Sequence, residues 1–168
     1  DQRIIEEHIR RGRDFLKSPV TAQGDGSDYH TDQDLKRPQP PLVKAPMTDS
    51  PMDLPRDFES LNLSDNLYQL LLRRKSSRVY TQENMSLLQL SFLLWASQGI
   101  KEIRGKSYAT LRTAPCGGAR HPFETYLLVR KVDGLVPGAY HYLPMTHQLE
   151  LIQPMEDPDA LLNLVDDT

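Results

Sequence analysis

The chain has 168 residues, 38% of them hydrophobic, and a formal net charge of -3, which is the length of about one domain with enough apolar content for a single core. The acidic balance gives no average field to draw nucleic acid or an anionic membrane, so neither is expected as a partner, and no apolar run reaches the roughly 20 residues of a bilayer span. One cysteine, Cys116, excludes an intrachain disulfide and fits a reducing, cytoplasmic setting, as does the lack of a signal-peptide pattern in Asp1 to Glu7.

In chain order, residues 3 to 17 place Ile5, Ile9, Phe15 and Leu16 near one stripe among charged neighbours, which predicts a short amphipathic helix. The pattern dissolves from Thr21 to His30. Prolines 38, 40, 41, 46, 51 and 55 then fix their own backbones and discourage helix before them, so an extended arm is expected. Such an arm is either a linker or a strap laid across a partner subunit. Ser64 is a candidate N-cap for a helix carrying Leu67, Leu70, Leu71 and Arg74. Ser86 and Gln89 form a capping box for the clearest helix, with Leu87, Leu90, Leu94 and Trp95 following and Gly99 as its end. Its leucines lie on several sides, which predicts burial over most of its surface.

The period then changes to that of strands. Phe123, Thr125, Leu127 and Val129 alternate with Glu124, Tyr126, Leu128 and Arg130, and Asp133-Gly134 supplies a turn. Pro137-Gly138 opens a second strand with Tyr140 and Tyr142 on one side, and Leu149 to Ile152 forms a third after a turn near Met145 and Thr146. Three strands on short turns predict an antiparallel meander, and Asp157-Pro158 begins a further helix with Leu161, Leu162 and Val165. Helices followed by a meander give the α+β class. The domain reading is a helix and proline-rich extended arm over 1–60 and the N-terminal portion of a folded domain over 61–168.

Chemistry concentrates in two segments. Arg74-Lys75-Ser76-Ser77-Arg78 offers two guanidinium groups, an ammonium and two hydroxyls in five residues, a donor set suited to a phosphomonoester. The alternative is a basic run that complements a helix C-terminus. Pro115-Cys116-Gly117-Gly118 lets backbone approach a flat ligand closely, or is an ordinary loop. Cys116 has Arg120 and His121 near it in sequence, as a thiolate would need, but it is also a small residue suited to a tight loop. His8, His30, His121, His141 and His147 show no metal-ligand spacing, and no dinucleotide or P-loop fingerprint occurs.

The blocks LLRRKSSRVY, LLWASQGI, LRTAPCGGARHPFETYLLV, GLVPGAYHY and HQLELI, in this order from about Pro40 to about Ile152, resemble the FMN-dependent nitroreductase superfamily. Within it the chain is most similar to the SagB/ThcOx-type dehydrogenases, some of which oxidise azolines to azoles in modified peptides. The resemblance implies that Arg74, Ser76 and Arg78, with Lys75 alongside, bind the FMN phosphate and ribityl chain. It also implies that Pro115, Cys116, Gly117 and Gly118 lie against the flavin, with Cys116 where the family usually has serine. Glu124 matches an acidic position just after that loop. It further implies a homodimer with flavin sites at the subunit interface, ping-pong electron transfer and NAD(P)H as candidate donor to a small or peptidic substrate. The family's second half does not occur before Thr168, so the chain reads as the N-terminal part of such a domain. The alternative is an interaction module that keeps the fold without the flavin.

Overall fold

A computed structural model describes residues 2–16, 30–106 and 108–157. The chain separates into two compact units, Asp1–Pro40 and Pro41–Thr168. The first contains helix α1, Gln2–Leu16, which buries none of its residues. It also contains a turn in which Asp34 accepts from the backbone and hydroxyl of Thr31 at 2.9 and 2.7 Å.

The second unit is built on a four-stranded antiparallel sheet in the order β1-β6-β5-β4. The strands are β1 (Met52–Asp53), β4 (Thr125–Val129), β5 (Gly138–Leu143) and β6 (Gln148–Pro154). The predicted meander is thus β4-β5-β6, and the α+β class stands. Arm residues add an edge the sequence did not show: Met52 pairs with Leu149 and Asp53 with Gln148. A separate hairpin of β2 (Ile100–Arg104) and β3 (Ala109–Arg112) follows the central helix and was likewise not read from sequence.

Alternation fixes what each sheet face carries. Register pairs Leu127 with Tyr140, Tyr140 with Leu151, and Tyr142 with Leu149, so these side chains share one face. There they meet Leu54 and helix α3 (Leu87–Gln98), through Leu90 and Leu94, to form the core with Val129. The opposite face carries the row Tyr126, His141 and Glu150.

The capping box at Ser86 and Gln89 forms as expected, and the Gly99 N–H donates to the Trp95 carbonyl at 2.7 Å. α3 is less enclosed than its leucines suggest: Leu93 is 52% exposed, because the sheet covers one stripe only. The preceding helix, α2 (Leu67–Arg73), is capped by Asn66 rather than Ser64. Asn66 accepts from the Gln69 N–H at 3.1 Å, whereas Ser64 lies too far upstream to reach the first turn. All of α2's leucines are exposed. The helix expected from Asp157-Pro158 lies outside the described residues.

Candidate functional site

Arg74 ends α2 as its C-cap, its N–H donating to the Leu70 carbonyl at 2.9 Å. From it the chain continues without regular structure through Lys75, Ser76, Ser77 and Arg78, all exposed. Among the described residues, none of the side chains of Arg74, Lys75, Ser76 and Arg78 makes a hydrogen bond or ion pair. Two guanidiniums, an ammonium and hydroxyls are therefore free to meet an anion. Apolar groups surround them in sequence: Leu67, Tyr68, Leu71, Leu72, Val79 and Tyr80 are each more than 60% exposed.

The second segment leaves β3 at Arg112. Thr113 anchors it, its hydroxyl donating to the Trp95 carbonyl at 2.8 Å and its N–H to the Gly99 carbonyl at 2.9 Å. Beyond Pro115 and Cys116, residues Gly117–Ala119 form a 3-10 turn. Gly118 (φ 62°), Ala119 (φ 53°) and His121 (φ 43°) all occupy the left-handed region, where non-glycine residues are strained by roughly 1–3 kcal/mol each. Two such residues within five positions are held there by the surrounding fold, a pattern that concentrates at ligand sites. At Gly117 a Cβ would meet nothing within 4 Å, so this side of the loop faces open space.

Cys116 does not face an imidazole base. Its Sγ accepts from the backbone N–H of His121 at 3.3 Å, while the His121 ring bonds the backbone of Thr110. Burial, and then the charge of Arg112, lower the His121 pKa. The small-residue reading of Cys116 is the one this geometry supports. Arg112 itself is buried, donating to Gln98 Oε1 at 3.1 Å and Thr110 Oγ1 at 3.2 Å. Among the described residues no hydrogen bond or ion pair joins Arg74–Arg78 to Pro115–Gly118.

Two buried relays went unread in the sequence, because each joins residues far apart in the chain. In the first, His147 Nε2 meets Ser91 Oγ at 2.8 Å and its Nδ1 meets Tyr142 Oη at 2.7 Å. The Ser91 hydroxyl donates to the Pro55 carbonyl, so this serine is a buried staple and not a nucleophile open to substrate. In the second, Glu150 accepts from His141 Nδ1 at 2.7 Å, and His141 Nε2 lies 3.2 Å from Glu124 Oε2. That gives Glu124, expected only to be acidic, a partner. Among the described residues no group of His, Cys, Asp or Glu is arranged to hold a metal ion.

A cleft of about 530 Å³ opens along the exposed side of α3, lined by Leu61, Leu63, Met85, Phe92 and Leu93 among others. None of the expected cofactor residues lines it. No described helix is long and apolar enough to cross a membrane.

No family model matches the chain. Over 93 residues it is 36% identical to a protein of Methanocaldococcus jannaschii named "putative nitroreductase". The matched stretch is 55% of this chain and 42% of that relative, so the chain spans less than half of the relative's length.

Proposed function

We propose that this chain is part of a flavin-dependent oxidoreductase of the nitroreductase kind, and that Arg74, Lys75, Ser76 and Arg78 hold the FMN phosphate. The 36% identity to a protein bearing that name carries the reading. The residues fit the group: an exposed set of cations and a hydroxyl, without partners among the described residues, suits a phosphate close to -2, and bidentate guanidinium forks supply most of the attraction. The loop Pro115-Cys116-Gly117-Gly118 fits the isoalloxazine, since its open side at Gly117 admits a flat ring without a Cβ between.

When bound, the flavin supplies reversible two-electron chemistry, and the protein's part is to place and screen it. Arg74 and Arg78 anchor the phosphate end. The strained loop at Gly118–His121 would present backbone to the ring, and the charge of buried Arg112 is felt by Cys116 and His121 in that loop. NAD(P)H as donor, a small or peptidic acceptor of the SagB/ThcOx type, and ping-pong exchange between them complete the proposal. The exposed apolar residues on α2 support a further part of it, a homodimer in which a second copy covers them.

The test is flavin binding by the purified protein. Visible flavin absorbance that survives gel filtration and is bleached by NAD(P)H is the expected result. A protein that takes up no added FMN overturns the proposal in favour of an interaction module retaining only the fold.

A further inference from the structure

The sheet face opposite α3 is crossed by the segment Lys44–Thr48, and the way it is fastened is unusual. At one end the Glu150 carboxylate accepts from the Met47 N–H at 2.8 Å, the Thr48 N–H at 2.7 Å and the Thr48 hydroxyl at 3.0 Å. At the other, Glu124 Oε1 accepts from the Lys44 N–H at 3.0 Å, and Lys44 Nζ reaches Tyr126 Oη at 2.7 Å. His141 sits between the two carboxylates, fully buried, with Tyr126 stacked on its ring at 4.8 Å.

Proton counting makes the two ends unequal. Glu150 is filled by donors, so His141 Nδ1 must carry a hydrogen toward it. A neutral imidazole then turns a bare Nε2 lone pair toward Glu124 Oε2, 3.2 Å away, where two acceptors repel. The contact is attractive only when one proton lies between them, on the ring or on Glu124. We propose that Lys44–Thr48 is a proton-gated strap: a proton shared by His141 Nε2 and Glu124 Oε2 fixes its Lys44 end, and loss of that proton to solvent frees this end while Glu150 keeps the other.

No bond other than the N–H or O–H breaks. Without the proton the Glu124 carboxylate turns from the ring, the Lys44 N–H loses its acceptor, and the imidazole flanked by two acids opens to water. The charged and titratable groups facing the pair are Lys44 on the strap, Tyr126 on β4, Glu150 on β6 and Arg112 on β3, whose charge is felt by Glu124. Burial raises the Glu150 pKa, but the bonds from His141, Thr48 and Met47 outweigh it and hold it below the ordinary value, so its end stays fastened as pH rises.

The inference stands apart from flavin binding and is tested on the chain without added ligand. Amide exchange at Lys44, Met47 and Thr48, divided by intrinsic rates, is followed with rising pH. Lys44 protection should fall about tenfold per pH unit once the proton is lost, while Met47 and Thr48 hold. Glu124→Gln gives the ring a permanent donor and keeps an oxygen for the Lys44 N–H, so its Lys44 protection should not change with pH. Equal pH response at both ends, no response at Lys44, or an unaltered response in Glu124→Gln would each overturn the proposal.

Discussion

His147 Nε2 stands 2.8 Å from Ser91 Oγ, tying the turn between β5 and β6 to the middle of α3 across 56 residues of sequence. The turn holds His147 at φ 59°, and its other nitrogen is bonded to the fully buried Tyr142 hydroxyl. One side chain therefore satisfies two buried hydroxyls and fixes the strained turn that starts β6.

His147→Ala should lower stability by about 2–4 kcal/mol, since it leaves the Tyr142 hydroxyl buried without a partner. Urea denaturation followed by circular dichroism measures this. A loss within 0.5 kcal/mol would mean that water replaces the ring freely, a limit set by ordinary surface substitutions at about that size.

The same histidine predicts acid sensitivity. Burial, with the charge of Arg56 adding to it, lowers the His147 pKa from 6.5 to about 4. Between those values the unfolded chain binds a proton that the folded chain refuses, so the contribution is complete above pH 6.5 and is lost as pH falls through about 4. Thermal midpoints across this window should slope less in His147→Gln than in the parent chain.

Glu150→Gln replaces an acceptor of four donors with a group that brings N–H bonds of its own toward the Met47 and Thr48 amides. A loss of about 3 kcal/mol is expected from breaking so buried a cluster. Exchange at Met47 and Thr48 should accelerate before global unfolding. Retained protection there would show that the strap is held by something else.

Arg74→Ala with Arg78→Ala should weaken FMN binding by several kcal/mol at most, at about 1.5–3 kcal/mol for each charge-assisted bond. Stability should scarcely move, because neither side chain has a partner among the described residues. A fluorescence titration with unchanged affinity would place the phosphate elsewhere.

Gly117→Ala separates ligand contact from folding. Its Cβ would meet nothing within 4 Å among the described residues, so a bound molecule is what would feel the added methyl. Reduced flavin uptake at unchanged melting temperature is the expected pair of results. Unchanged uptake would remove this loop from the flavin site.

Local chemistry was legible wherever the deciding partners were near in sequence. The Ser86 and Gln89 capping box, the Gly99 cap, the turn at Asp133-Gly134 and the three-strand meander all rest on contacts within a few residues, and all are present. Asn66 was missed for Ser64 because two capping residues stood two positions apart, and only backbone direction selects between them. The β2–β3 hairpin escaped because its apolar positions alternate weakly about Gly105.

The sequence by itself determined which residues can cap, turn or alternate, and it placed the basic run Arg74 to Arg78 at a helix end. Tertiary structure decided what the alternation was for. The odd and even residues of β5 go to opposite faces, so Tyr140 and Tyr142 enter the core under α3 while His141 meets Glu150 and Glu124 beneath the strap. Nothing local distinguishes those two fates. A side chain's period names the face, and only the segment that covers that face, here Lys44–Thr48 from about 100 residues away, makes it a buried proton site.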